Sequence, residues 1–357
     1  MTPFRIGLVG AGWISRTYLA ALARVPQGRP VAVWSRTRAH AERLAKEFGL
    51  ELATDRVDEL IAAVDVVCVN SPNFLHAEHA IAAAQAGRHV IVEKPLAVSL
   101  EEGDAIVEAA RRACVGLAYA EELPFAPKFA RIRQLLGSGA LGGPRYVTQR
   151  EAHGGPHSPW FFTREEAGGG VLMDMACHAI ECIRWLLDKP PASAVTAQLA
   201  RAAHAEKGEL EDHAVVHLEF ANGVSALAEA SWALEGGMQS RLEVWGARGY
   251  AAADLLHETG LRVYSRDGLP GAAPGAGWSA LPADWLWESG YPQELAHFLD
   301  CFRCKETPAE CGSDGQAVLE ILCAAYASAR RGARVSLPFR PRGVARAVDL
   351  WLGDAAQ

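Results

Sequence analysis

Short β-rich runs alternate with alanine-rich amphipathic stretches through the first third of this chain, and that alternation leaves few folds open. Phe4 to Gly10, Val31 to Arg36, Asp65 to Ser71, His89 to Glu93 and Val115 to Ala120 read as strands, and Trp13 to Val25, Arg38 to Phe48, His76 to Ala86 and Ser99 to Ala113 read as helices. A run such as Val64-Asp65-Val66-Val67-Cys68-Val69 is apolar almost throughout, as suits a strand covered on both faces. The order predicts an α/β fold in which helices sandwich a parallel sheet. Gly49 and Gly87 stand just past two of the helices, where a left-handed cap suits glycine.

Around Leu123 the pattern changes. A helix over Pro127 to Leu136 ends in the turn Gly137 to Gly143, and strand-like runs follow at Arg145 to Ala152, Ala194 to Leu199, Ala214 to Phe220, Val224 to Ser231 and Arg241 to Gly246. The turn Ala221-Asn222-Gly223 between two alternating runs is a hairpin signal. Pro270 to Gly277 reads as a loop, and helices near Pro292 to Phe302 and Asp314 to Arg330 close the chain. At 357 residues, two domains are the natural expectation. The division expected is 1–122, 123–340 and a tail at 341–357.

Composition removes several classes of function. A net charge of -7 with no long basic block argues against nucleic acid. The first residues read as a strand rather than a leader, and no stretch reaches about 18 apolar residues. Neither a membrane partner nor export is expected, and the cytoplasm is the expected compartment. Eight cysteines are then expected as reduced, small apolar residues. Cys301 and Cys304 form one Cys-x-x-Cys spacing, with Cys311 beyond, but no second pair follows. No metal is expected there.

Six segments carry the candidate chemistry. Gly10-Ala11-Gly12-Trp13-Ile14-Ser15 follows a strand and opens a helix: Gly10 permits the turn, and Gly12 lets backbone approach a pyrophosphate at the helix N-terminus. Ser15 takes the place of a third glycine, and a bland strand–helix turn is the alternative. After the second strand, Ser35, Arg36 and Arg38 stand where an NAD-specific site would commonly hold an acid. Guanidiniums favour a 2'-phosphate, so NADP is expected over NAD, unless the arginines are simply solvated. Ser71, Pro72, Asn73 and His76 fall at the end of the strand-like run from Asp65, with Asn73 able to cap the next helix.

Glu93-Lys94-Pro95 stands at the end of the strand-like run from His89. A lysine held there can polarise a substrate hydroxyl or carbonyl beside a nicotinamide. Further on, Gly168-Gly169-Gly170 precedes Asp174 and His178. On a helix these two share a face, with Glu181 near the same line, and a carboxylate beside an imidazole suits it to proton exchange. Such a pair is also common as structure. The segment Glu151 to Phe162 adds His153, His157 and Trp160 on a Gly/Pro loop. It reads either as a sugar-pocket lining, with His157 and Trp160 as substrate contacts, or as a packed loop. A divalent-metal site of His153, His157, Asp174 and His178 is a further alternative.

Taken together and in this order, these motifs resemble the glucose-fructose oxidoreductase and inositol dehydrogenase family (Gfo/Idh/MocA) from Phe4 to about Pro338. The resemblance implies an N-terminal Rossmann domain and a C-terminal α/β domain with a large, mainly antiparallel open sheet, on which a homodimer or homotetramer is built. It implies Lys94 as the catalytic lysine, His178 as proton carrier, Asp174 as a substrate-binding or supporting acid, and a cis peptide before Pro95. The function implied is hydride transfer between a nicotinamide cofactor, NADP or NAD, and a CH–OH or carbonyl of a sugar, cyclitol or related polyol. A non-catalytic NADP-binding regulator and a hydrolase or epimerase using nicotinamide transiently are the rivals. Glu121-Glu122 stands where many relatives carry asparagine or arginine, and this puts the substrate contacts there in doubt.

Overall fold

The strand order of the first sheet reverses beside the first strand, and that reversal fixes where a ligand can sit. The computed structural model describes residues 2–255, 261–265, 277–279 and 284–353, and the chain divides into two units, 1–121 with 291–319 and 122–290 with 320–357. In the first unit run β1 (Phe4–Val9), α1 (Trp13–Leu22), β2 (Gly28–Trp34), α2 (Arg38–Phe48), β3 (Leu52–Thr54), α3 (Val57–Ala63) and β4 (Val66–Val69). There follow α4 (His76–Gln85), β5 (His89–Glu93), α5 (Leu100–Ala113) and β6 (Leu117–Ala120). The six strands pair in parallel in the order β3-β2-β1-β4-β5-β6. Every residue of β4 is buried, as the apolar run required. Gly49 caps α2 in the left-handed region at φ 69°. The short β3 and α3 were not evident in the sequence; α3 lies so close to β1 that a Cβ on Gly7 would come within 2.7 Å of Leu60.

The second unit begins with α6 (Pro127–Gly137) and β7 (Pro144–His153), then α7 (Arg164–Ala167) and α8 (Cys177–Leu186). Next come β8 (Ala192–Ala200), β9 (His213–Phe220), β10 (Ser225–Ser231), β11 (Met238–Gly246), β12 (Gly249–Asp254), β13 (Leu261–Ser265), β14 (Gly277–Ser279) and α9 (Trp285–Glu288). With β15 (Val335–Ser336), which follows α10 (Tyr291–Cys304) and α11 (Gly312–Arg331), they form a nine-stranded sheet ordered β14-β13-β12-β11-β7-β10-β9-β8-β15. All pairs are antiparallel except β7 with β10. The sheet is thus mixed and mainly antiparallel. Burial alternates residue by residue along β9, so one face is covered, and α8 packs on β7 and β10. The β9–β10 hairpin turns at Ala221–Gly223, with Gly223 at φ 83°. The loop expected at Pro270 to Gly277 lies outside the described residues except for Gly277, the first residue of β14.

Two segments depart from a linear division at residue 122. α10 belongs to the first unit because its apolar face, Leu295, Phe298, Leu299 and Phe302, is buried there. Phe302 stacks on His89 with centroids 4.7 Å apart, and a Cβ on Gly28 would lie 2.8 Å from Leu299. The stretch after residue 340 is more than a tail: Ala347 and Val348 are buried, α12 (Asp349–Leu352) follows, and Arg164 binds Asp349 at 2.7 Å. No helix among the described residues is long and apolar enough to cross a membrane.

Candidate active site

Because the first sheet is parallel, Gly10, Ser35, Asn70 and Lys94 follow strands that all end at one edge, on either side of the β1/β4 reversal. Such a crevice is where open α/β sheets bind ligands. Gly10 has φ +125°, and a Cβ there would lie 2.4 Å from the carbonyl oxygen of Asn70. Gly12 differs: a Cβ added to it meets nothing within 4 Å. It stands at the start of α1, which has no side-chain N-cap and no acid in its first turn. Ser15 is buried and donates its hydroxyl to the carbonyl of Gly10 at 2.8 Å. The hydroxyl thereby ties helix to turn where a third glycine would only allow close approach. Asn70 donates to Ser15 at 3.3 Å, while its buried Oδ1 has no hydrogen-bond partner among the described residues.

At the end of β2, Ser35 is half-buried and Arg36 exposed, the guanidinium of Arg36 lying 6.0 Å from the Phe74 ring centroid. Arg38 pairs with Glu42 at 2.9 Å and approaches Asp55 at 3.9 Å. Past β4, Ser71 Oγ lies 3.0 Å from His79 Nδ1. Asn73 is buried in a single 3-10 turn behind Pro72 and does not cap α4. His76 is fully buried with both ring nitrogens 2.8 Å from carbonyl oxygens, Nδ1 facing Pro95 and Nε2 facing Ser71. Burial pushes its pKa down to about 4, so at neutral pH the ring carries one N–H and donates to one of the two carbonyls. His76 thus joins the loop after β4 to the turn after β5. That turn holds the Lys94–Pro95 peptide, which is cis, and Lys94 donates its backbone N–H to Glu93 at 3.1 Å.

In the second unit, Gly169 and Gly170 are glycines because nothing larger fits. A Cβ would lie 2.0 Å from the Tyr326 hydroxyl in one case and 1.9 Å from the Glu211 carbonyl oxygen in the other. Glu211 is wholly buried; its Oε1 accepts from Gly170 N at 3.0 Å, Leu172 N at 3.1 Å and Tyr326 Oη at 2.7 Å. These bonds hold the start of a helix whose first part, Leu172–Ala176, is a π-helix before α8 takes over. π-Turns are frequent at functional sites.

Asp174 accepts the indole N–H of Trp232 at 3.0 Å and lies 3.7 Å from His153 Nε2. His153 Nδ1 accepts from Gly155 N at 3.0 Å, which places the ring proton on Nε2, facing Asp174. Glu122 lies 3.6 Å from His178 Nδ1, with both side chains largely buried. Glu181 instead engages Arg184 and Lys189. His157 is exposed and Trp160 half-buried, their rings each beside Phe161 at 6.4 and 3.8 Å. The ligand atoms of His153, His157, Asp174 and His178 do not gather within 4.8 Å of one another.

No local pattern signals the long-range partners Trp232, Glu211 and Tyr326, and Glu122 stands out only as a departure from the family pattern. Acids at Glu211-Asp212, directly ahead of an alternating apolar strand, were the one available signal, since burial there requires partners.

Residues 4–120 match the oxidoreductase family described as having an NAD-binding Rossmann fold, and residues 129–252 match its GFO/IDH/MocA C-terminal domain. The chain belongs to the Gfo/Idh/MocA family. It is 35% identical to 1,5-anhydro-D-fructose reductase of Ensifer adhaerens over 62% of this chain and 67% of that one. It is 27% identical to inositol 2-dehydrogenase of Rhizobium meliloti (strain 1021), over 93% and 99%. Among solved structures, GenD2 from gentamicin A biosynthesis in complex with NAD superposes with a TM-score of 0.84 at 33% identity, over 95% and 97%.

The Gfo/Idh/MocA chain is therefore an oxidoreductase with an NAD-binding first domain. Its own residues fit a dinucleotide: open space at Gly12, an α1 start without a side-chain cap, and the unpartnered Asn70 Oδ1 all lie at the β1/β4 crevice.

Proposed function

We propose that this oxidoreductase interconverts a secondary alcohol and the corresponding ketone on a sugar, cyclitol or related polyol, uses NADP in preference to NAD, and employs Lys94 and His178 as catalytic residues. The cofactor, when bound, supplies a hydride acceptor or donor at its nicotinamide C4. Gly10, Gly12, Trp13 and Ile14 at the α1 start would receive the pyrophosphate, with Ser71, Pro72, Asn73, His76 and Glu93 along the same edge. In oxidation, His178 takes the hydroxyl proton and the Lys94 ammonium stabilises the developing alkoxide; reduction runs in reverse. Asp174, fixed by Trp232, holds a substrate hydroxyl.

The observation that carries this reading is the setting of Lys94. It directly follows β5 at the crevice edge, its N–H is bound by Glu93, and the next carbonyl, of Pro95, lies against the buried His76. A lysine whose backbone is held at that edge is suited to present its ammonium to an alcohol or carbonyl beside the cofactor. The sugar and cyclitol names of the relatives support the substrate class.

The cofactor preference rests on Ser35 and Arg36, since Arg38 is already paired with acids. The test is a panel of sugars and cyclitols with each cofactor, followed by nicotinamide absorbance. Lys94→Ala and His178→Ala should each lower kcat by about 10²–10⁴, with His178→Ala still binding NADPH; near-normal turnover in both would exclude the assignment. Arg36→Ala should raise the KM for NADP at least about tenfold relative to that for NAD, and a wild type that prefers NAD would overturn the NADP reading. A homodimer or homotetramer through the open sheet face, where Tyr146, Trp245 and Tyr250 form an aromatic row, completes the proposal. Light scattering checks it.

A further inference from the structure

An aromatic wall leads away from Asp174. Trp232, bonded to Asp174, meets Phe162 edge-on at 5.4 Å and Phe161 at 6.5 Å, and Phe161 stacks on Trp160 at 3.8 Å with the planes 22° apart. Trp232 is buried, yet none of Pro159–Phe162 is. A loop whose rings served only as core would bury them; these keep one part in contact and one part open.

The wall is also held firmly. The Asp212 carboxylate accepts from the backbone N–H groups of Ala202, Ala203 and His204 at 2.5, 2.8 and 2.6 Å. His204 Nε2 lies 3.0 Å from the Trp232 carbonyl oxygen, its ring 5.7 Å from Phe162. Gly155 and Gly208 admit no side chain: a Cβ would lie 2.7 Å from His204 and 2.9 Å from the Phe162 carbonyl oxygen. Lys207 sits over the Phe162 ring at 4.9 Å, a cation at the border of an apolar surface.

Pre-organised aromatic faces bordered by polar groups suit pyranose rings, whose axial C–H faces are apolar and whose edges carry hydroxyls. Three further aromatic side chains, Phe162, Phe161 and Trp160, stay partly open beyond Asp174, more apolar surface than a single ring engaged there would use. Resting on the function proposed above, we propose that the partly open rings of Phe162, Phe161 and Trp160, backed by the buried Trp232, form a second sugar subsite, so that the preferred substrate is a glycoside carrying a second pyranose ring rather than a free monosaccharide or cyclitol.

The test compares matched pairs with NADP and NAD: D-glucose with maltose and cellobiose, D-galactose with lactose, and N-acetylglucosamine with chitobiose. In the pair that turns over, the disaccharide should have the higher kcat/KM by about tenfold. Trp160→Ala should bring that ratio toward one, mainly through KM, and Trp160→Phe should restore part of it. Trp160 is half-buried, so the variants are expected to fold, and their unfolding midpoints check this. Turnover with equal kcat/KM within each pair, or a Trp160→Ala ratio equal to that of the wild type, overturns the subsite and leaves the oxidoreductase reading intact. Absence of turnover on every member, with both cofactors, overturns the subsite, and the oxidoreductase reading is then decided by the wider sugar and cyclitol panel.

Discussion

Tyr326 donates its hydroxyl to Glu211 at 2.7 Å where neither side chain reaches solvent. The two backbone donors from Gly170 and Leu172 favour a carboxylate, but desolvation prevails and raises Glu211 from an ordinary 4.5 to about 7. Its Oε2, without a hydrogen-bond partner among the described residues, is the natural seat of the proton.

The first prediction follows by linkage. Between pH 4.5 and 7 the folded state holds a proton that the unfolded state has lost. Stability from this group is complete below 4.5 and is lost as pH rises through 7, a change on the order of 3 kcal/mol. Unfolding midpoints measured from pH 4 to 8 should carry this fall, and Glu211→Gln, with no proton to lose, should lack it. An unchanged profile in the variant would show that another group is responsible.

Trp232→Phe keeps the ring in the aromatic wall and removes the N–H that Asp174 accepts. A hydrogen bond to a charged group contributes about 1.5–3 kcal/mol, so kcat/KM should fall roughly 10- to 100-fold. Cofactor affinity, read by fluorescence titration, should hold. A loss of cofactor binding equal to the loss of activity would contradict the role given to Asp174.

Gly10 and Gly12 should separate in their effects. Gly10→Ala puts a methyl group 2.4 Å from a backbone oxygen at φ +125°, and a clash between backbone-fixed atoms has no rotamer that relieves it. Its unfolding midpoint should drop by several degrees. Gly12→Ala fills open space and should leave the midpoint nearly unchanged while weakening the dinucleotide about tenfold or more. Equal destabilisation by the two would remove the distinction.

The first unit was legible where periodicity is strong. β1, β2, β4, β5 and β6 fall within a few residues of the runs that predict them. β3, three residues long, offers no period to detect, and β12 is built on Ala251-Ala252-Ala253, a composition that reads as helix.

The second unit's chemistry was harder to read because its partners are far apart in the chain. A four-residue spacing on an α-helix suggests that Asp174 addresses His178. In the structure the stretch Leu172–Ala176 is a π-turn, and Trp232 and His153 also stand at Asp174, and Glu122 at His178. Helical periodicity reports a face. It does not report what another strand, 58 residues on, brings to it.

The β7–β10 pair, the one parallel pairing among the described strands of its sheet, has a mechanical consequence. The chain from Gly154 to Val224, with the aromatic loop, Asp174 and His178, starts and finishes in adjacent strands held in fixed register, Tyr146 opposite Ser225 through Ala152 opposite Ser231. Both borders of that stretch are therefore tethered to the same patch of sheet, and a slip in the register of either strand would displace them relative to each other.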